Sequence, residues 1–129
     1  MKKRLALIVD DEESFLEIVS TRLKAVGFSV EMANVFSDAL EKAERLVPDV
    51  ILSDVHMPPG PSGWELGLQL RSNQITARIP FALFTSLYDP WSEFPGGRTR
   101  AETLLKPVAI LSKTDDVENL GEKVLAFLS

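Results

Sequence analysis

Short apolar runs that recur along the chain and end in carboxylates restrict the fold more than any other feature of the sequence. The first run, Leu5–Val9, is followed directly by Asp10 and Asp11, and a later run closes with Asp54. Apolar runs without polar alternation are typical of strands that a parallel sheet buries on both faces. The predicted strands are Leu5–Val9, Ser29–Ala33, Asp49–Asp54, Phe81–Ser86 and Val108–Ser112.

Helical spacing of apolar residues fills the intervals between these strands. The pattern predicts helices over Glu12–Val26 and Phe36–Val47, a third from Trp64 and a fourth over Arg98–Leu105. A last helix follows Asp115 and Glu118, which stand at capping-box spacing. Alternating strands and helices imply right-handed crossovers and a doubly wound α/β fold. A length of 129 residues predicts one domain over 1–129.

Composition excludes several classes of function. Fourteen Lys and Arg against nineteen Asp and Glu give a net charge of -5, which disfavours direct nucleic-acid binding. The absence of cysteine excludes thiolate chemistry, and His56 is the only histidine, so any metal must be held by oxygen. No apolar run approaches the ~20 residues of a membrane span, and no signal peptide is evident. We therefore expect no membrane insertion and a cytoplasmic location.

Three acids fall where the strands end. Because the carboxyl ends of parallel strands meet at one edge of a sheet, Asp10, Asp11 and Asp54 should converge there. Such a cluster favours a hard divalent cation, and Mg²⁺ is the cellular default. Thr85 and Lys113 follow the fourth and fifth strands, and would hydrogen-bond to and neutralise a phosphoryl group that the Asp54 carboxylate attacks. Taken singly, an acid such as Asp11 is more simply a helix cap.

The motifs together resemble one family. The matching pieces are Ile8–Glu12, Asp49–Pro58, Ile79–Ser86 and a lysine that closes the fifth strand. The chain is similar over nearly its whole length to the response-regulator receiver domains of bacterial two-component signalling. That resemblance implies a flavodoxin-like five-stranded parallel sheet of order 2-1-3-4-5 with five helices.

The resemblance also implies a role for each acid. Asp54 becomes the phosphoacceptor, Asp11 a direct Mg²⁺ ligand, and Asp10 an acid that acts mainly through water. The backbone carbonyl of His56 becomes a further ligand. The implied phosphodonor is a phosphohistidine on a sensor histidine kinase or a histidine phosphotransfer protein. Thr85 becomes the hydroxyl that follows the phosphoryl group.

The lysine of the site has two candidates. Lys106 precedes Pro107, the dipeptide usual in the family, and its distance from Thr85 is closer to the usual one. Lys113 lacks a following proline, but a longer apolar strand precedes it and apolar residues recur on one helical face after it. We therefore favour Lys113 and keep Lys106 as the alternative. With Lys113, six or seven extra residues fall between strands four and five, and Ile110 stands where the family often has an aromatic switch residue.

Three functions are consistent with these features. The first is a phosphoaspartate-accepting domain that switches a surface for an unknown output partner and has no external substrate. The second is a pseudo-receiver that binds proteins without phosphorylation, suggested by the missing proline and aromatic residue. The third is a small phosphatase or phosphotransferase. A homodimer is possible, and the sequence does not separate a stand-alone receiver from one cut from a longer regulator.

Overall fold

Five parallel strands form one sheet in the computed structural model, which describes residues 3–56, 62–86, 94, 96–107 and 109–128. The strand order is β2-β1-β3-β4-β5, as the resemblance implied. The strands are β1 (Leu5–Val9), β2 (Ser29–Ala33), β3 (Val50–Asp54), β4 (Phe81–Thr85) and β5 (Ala109–Ser112). The helices are α1 (Glu13–Lys24), α2 (Phe36–Leu46), α3 (Gly63–Ser72), α4 (Gly97–Leu105) and α5 (Leu120–Leu128).

The two faces of the sheet bury separate apolar layers. Successive residues of a strand point to opposite faces, so Leu7 joins the layer under α2, α3 and α4, whereas Ile8 joins the layer under α1 and α5. The central strands β3 and β4 are buried along their whole length. This burial accounts for the apolar runs Val50–Leu52 and Phe81–Phe84 and confirms the doubly wound architecture.

The last helix begins later than the sequence pattern suggested. The predicted capping box at Asp115 and Glu118 is wrong, because α5 begins only at Leu120. The side-chain oxygen of Ser112 accepts the backbone N–H groups of Thr114 and Asp115, both at 3.1 Å. These bonds hold the chain in a turn directly after β5, since a side chain that bonds nearby backbone groups competes with helix formation.

One expectation falls partly outside the described residues. The six or seven extra residues between strands four and five are expected in the interval 87–98, of which only Phe94 and residues 96–98 are described. Phe94 is buried and packs edge-on against Trp64, with ring centroids 5.1 Å apart. Within the described part of the chain, no helix has the length and apolar character to cross a bilayer.

The end of α2 places a β-branched residue in an unfavourable conformation. Val47 has φ 44° and ψ 66°, and its side chain is half exposed. A left-handed backbone costs a residue with a Cβ roughly 1–2 kcal/mol, and β-branched residues are the least tolerant. Asn is accepted at this position because it visits the left-handed region readily.

We expect Val47→Asn to raise the free energy of unfolding by about 0.5–1 kcal/mol, because the strain is relieved and little buried surface is lost. Urea denaturation measures the change. Val47→Thr is the matched control, since Thr keeps the branched shape and should give no comparable gain. A loss of stability in the Asn variant would show that the packing of Val47 outweighs its backbone strain.

Candidate functional site

The three acids meet at the carboxyl edge of the sheet. Strand pairing sets Val9 beside Ser53, so the residues that follow them, Asp10 and Asp54, are neighbours across β1 and β3. Carboxylate oxygens of Asp10, Asp11 and Asp54 all lie within 4.8 Å of one another. Asp10 is 1% exposed and Asp54 is 8% exposed, whereas Asp11 faces solvent. The cluster is therefore open on the Asp11 side.

Asp10 makes two contacts that fix the cluster. Its Oδ1 accepts the backbone N–H of Glu12 at 2.9 Å, and its Oδ2 accepts the Lys113 ammonium at 2.8 Å. The first bond satisfies the backbone N–H of Glu12, the N-cap residue of α1, whose own side chain makes no capping bond. The second bond joins Asp10 directly to Lys113. This contact is additional to the water-mediated role toward Mg²⁺ that the resemblance implied for Asp10.

Lys113 reaches the cluster because β5 pairs with β4. Thr85 lies opposite Ser112, and the backbone N–H of Lys113 donates to the carbonyl of Thr85 at 2.9 Å. This bond carries the last ladder one residue past β5 and directs Lys113 over the sheet edge. Its Nζ then lies 3.4 Å from Asp54 Oδ1, in addition to its contact with Asp10.

Phe15 is a member of the site that the sequence did not reveal. The Lys113 Nζ stands 4.5 Å from the centroid of the Phe15 ring, and this ring packs edge-on against Phe84. An ammonium over an aromatic face gains about 0.5–2 kcal/mol. Helical spacing assigned Phe15 to the core, and nothing in that periodicity distinguishes a core ring from one that supports a cation.

The alternative lysine lies elsewhere. Lys106 is exposed at the C-terminal end of α4, in the left-handed conformation with φ 48°. It lines a surface pocket with Pro80, which precedes β4 and therefore lies at the opposite edge of the sheet from Asp54. The Lys-Pro dipeptide is thus a helix end in this chain, and the geometry favours Lys113 for the site.

Burial dominates the electrostatics of the acids. Burial, reinforced by the charge of Asp10, raises the pKa of Asp54 to about 6 in the metal-free protein. Burial likewise raises the pKa of Asp10 above its ordinary value despite the hydrogen bond from Lys113. Burial alone would lower the pKa of Lys113, but the bond to Asp10 and the charge of Asp54 raise it overall. One ammonium therefore does not fully compensate two buried carboxylates.

The donor set fits a hard divalent cation. Three carboxylates within bonding reach of a common centre offer only oxygen ligands, which Mg²⁺ prefers. The incomplete compensation by Lys113 leaves negative charge for such an ion to neutralise. Asp10, Asp11 and Asp54 are the residues that would hold it.

Two further predicted site residues have different standing. Thr85 is the last residue of β4, is 4% exposed and pairs with Ser112, the residue before Lys113. His56 is exposed. It directly precedes residues 57–61, which lie outside the described part of the chain. A role of the His56 carbonyl as a ligand stays a prediction.

The first residue of α3 packs closely against the backbone of Asp54. Gly63 begins α3, and its N–H donates to the carbonyl of Val55 at 2.8 Å. A Cβ at Gly63 would lie 2.0 Å from the carbonyl oxygen of Asp54, so only glycine permits this approach. Gly63 directly precedes the helix that the sequence predicts from Trp64, and the pattern gave no sign of the contact.

The comparisons with known proteins agree with this architecture and site. The family model of the response regulator receiver domain matches residues 6–90. The chain therefore belongs to the receiver domains of response regulators. It is 34% identical over 103 residues to the response regulator PleD of Caulobacter vibrioides, covering 79% of this chain and 22% of PleD. It is 40% identical over 86 residues to the alkaline phosphatase synthesis transcriptional regulatory protein PhoP of Bacillus subtilis, covering 67% and 34%.

Solved structures extend the similarity beyond the matched segment. The chemotaxis response regulator CheY4 of Vibrio cholerae superposes with a TM-score of 0.82 at 27% identity, covering 98% of this chain and 99% of that one. A response regulator from Chloroflexus aurantiacus gives a TM-score of 0.83 at 25% identity, covering 98% of each chain. By contrast, the chain spans between 11% and 48% of the first curated relatives, such as the gliding motility regulatory protein of Myxococcus xanthus and RpaA of Synechocystis.

Proposed function

We propose that Asp54 accepts a phosphoryl group from a phosphohistidine of a sensor histidine kinase or a histidine phosphotransfer protein. The observation that carries this proposal is the Lys113 ammonium, 2.8 Å from Asp10 and 3.4 Å from Asp54, beside a third carboxylate. The cluster thus combines a buried nucleophile, a cation and an oxygen donor set for a metal. Phosphoryl transfer needs little more than this positioning and charge neutralisation.

The proposed step forms one bond and breaks one. An oxygen of the Asp54 carboxylate attacks phosphorus as the P–N bond to the donor imidazole breaks, and the imidazole nitrogen keeps the electron pair and takes a proton. Bound Mg²⁺ would supply charge neutralisation for the phosphoryl oxygens. Lys113 holds one side of the transferring group, and the Thr85 hydroxyl hydrogen-bonds to one of its oxygens. Water later hydrolyses the acyl phosphate, and no external substrate is required.

The consequence of phosphorylation would be a changed binding surface. A phosphoryl group adds charge at the carboxyl edge of the sheet, next to the end of β4 at Thr85. The output partner would be another protein or domain, and a homodimer is one form that the active state could take. Exchange with a histidine kinase takes place in the cytoplasm, which is the location we propose.

Phosphorylation of Asp54 is testable with a small phosphodonor. With acetyl phosphate and Mg²⁺, we expect the protein to gain the mass of one phosphoryl group, and removal of the metal by EDTA should prevent the gain. Asp54→Asn should remain unmodified, because it lacks the nucleophile. Asp38→Asn is the control, since Asp38 is an acid on α2 that pairs with Lys42 outside the cluster.

Other outcomes would favour the competing functions. An unmodified protein at saturating Mg²⁺, with partner binding unchanged in Asp54→Asn, would contradict the proposal and favour a pseudo-receiver. Turnover of a small phosphate ester beyond one equivalent of Asp54 would instead favour an external phosphatase. The retained acids and Lys113 argue against the pseudo-receiver, since a fold kept only for protein binding has no need to bury two carboxylates beside one ammonium.

A further inference from the structure

A basic pocket lies at the edge of the sheet opposite the acidic cluster. It is an open depression of about 550 Å³ between the end of α3, the segment leading into β4 and the end of α4. Cationic, polar and apolar side chains line it, chiefly Arg71, Arg78, Pro80, Thr103, Leu104 and Lys106. Nothing in the proposed phosphoryl transfer uses these residues.

The positive charge of this pocket is uncompensated. No Asp or Glu is among the described residues that line it, although the chain as a whole carries a net charge of -5. Glu102, on the adjoining turn of α4, is paired with Arg98 at 2.6 Å. Within the described part of the chain, neither Arg78 nor Lys106 has a carboxylate within 4.0 Å. An anionic group from another molecule would therefore find three cations without having to displace an internal partner.

Arg71 supplies a cation that is already held in position. Its Nε donates to the carbonyl of Leu105 at 2.6 Å, and its Nη1 donates to the carbonyls of Ala77 and Ile79 at 2.9 and 2.6 Å. Its Nη2 makes one long contact, 3.5 Å to the carbonyl of Lys106. The acceptors are all neutral carbonyl oxygens. The guanidinium therefore keeps its charge uncancelled and retains donor capacity at Nη2.

The pocket also has an apolar part. Leu104 is 42% exposed on α4, and Pro80 lines the pocket with it. The space is far larger than a single oxyanion needs, and a free ion would leave Leu104 in water. Arg71 also covers the carbonyls of residues 105 and 106, so it screens the negative end of the α4 dipole that would otherwise repel an anion.

We propose that this pocket binds an acidic segment of a partner protein. A carboxylate of that segment would bond to Arg71 and Arg78, and a neighbouring apolar side chain would cover Leu104. Arg78 is suited to this role because its planar donors can match a carboxylate in a bidentate manner, whereas Arg71 would add a single bond from Nη2. The site does not depend on Asp54, so its failure would leave the proposed phosphoryl transfer untouched.

An NMR titration tests this site with a defined probe, an acetylated and amidated hexapeptide of sequence Glu-Asp-Leu-Leu-Asp-Glu. We expect saturable shifts at the backbone amides of residues 76–79 and 103–106. Arg78→Glu should weaken the binding of the peptide at least about tenfold, because it replaces an attractive charge by a repulsive one. High salt should weaken binding in the same direction.

Matched variants and probes make the result decisive. Lys24→Glu is the same charge reversal at an exposed residue of α1. It should leave the affinity for the peptide unchanged. Arg78 is exposed, so Arg78→Glu should keep a native spectrum and its response to beryllofluoride. Inorganic phosphate should not reproduce the shifts at comparable concentration. Absent shifts, equal shifts with phosphate alone, or unchanged affinity in Arg78→Glu would each overturn the proposal.

Discussion

Replacing Lys113 by Ala is expected to slow the phosphorylation of Asp54 by acetyl phosphate about 10²–10³-fold, the usual cost of removing one preorganised charge from a developing oxyanion. Lys113 contacts Asp10 and Asp54 and rests on the ring of Phe15, so no other cation of the described residues is held in its place. Initial rates measured by intact mass at saturating Mg²⁺ give the effect.

Lys106→Ala is the matched control for this substitution. Both variants lose one ammonium from the same chain, but Lys106 lies at the other edge of the sheet and its loss should leave the rate within a factor of about two. A normal rate in Lys113→Ala together with a slow rate in Lys106→Ala would reverse the assignment and return the family's Lys-Pro dipeptide to the site.

The stability of Lys113→Ala has to be measured alongside its rate. Removing one member of a buried ion pair leaves charge unpaired and commonly costs about 3–5 kcal/mol. We expect the metal-free variant to unfold at a lower temperature than the parent, because Asp10 and Asp54 lose their shared cation. Assays below that unfolding temperature separate lost catalysis from lost structure.

The placement of the acids could be predicted from the sequence because parallel strands impose it. Once Leu5–Val9 and Val50–Asp54 are recognised as adjacent buried strands, Asp10 and Asp54 must end at one edge. The preference for Lys113 likewise followed from periodicity, since an apolar run of adequate length precedes it. Regular elements transmit their geometry to the residues that terminate them, which is why these inferences were possible.

Side-chain contacts between distant segments could not be predicted in this way. The direct bond from Lys113 to Asp10 spans 103 positions of sequence, and the contact of Gly63 with Asp54 depends on the angle at which α3 enters. The delayed start of α5 depends on Ser112 accepting two backbone donors, a choice between a turn and a helix that the capping pattern alone did not decide. Such details follow from tertiary packing, which a linear pattern does not encode.

The buried carboxylate should also make the metal-free protein less stable as pH rises. The pKa of Asp54 is about 6 in the folded chain and near its ordinary value of 3.8 when unfolded. Between these values the folded state binds a proton that the unfolded state has released, so the free energy of unfolding falls with increasing pH. Asp10 acts in the same direction because its pKa is also raised. Lys113 stays protonated throughout this interval.

Asp54→Asn should remove most of that dependence. A difference of about two pH units corresponds to roughly 3 kcal/mol, and we expect the variant to gain about 1–3 kcal/mol over the parent at pH 7.5 in EDTA, but only about a third as much at pH 4.5. Urea unfolding at the two pH values measures the gain. Asp115→Asn is the control, since Asp115 is exposed and its loss should change stability by less than about 0.5 kcal/mol.

Mg²⁺ should reduce the stability advantage of Asp54→Asn over the parent, which links the stability of the protein to metal binding at the site. An ion that binds only the folded parent adds a stability term that grows with its concentration, whereas Asp54→Asn has lost one ligand and should gain less. The parent should therefore approach the variant in stability as Mg²⁺ is added at pH 7.5. Equal stability of the two proteins in EDTA at both pH values would mean that the Asp54 carboxylate is solvated in the folded chain. The cluster would then lack the unfavourable buried negative charge that a bound metal ion is proposed to neutralise.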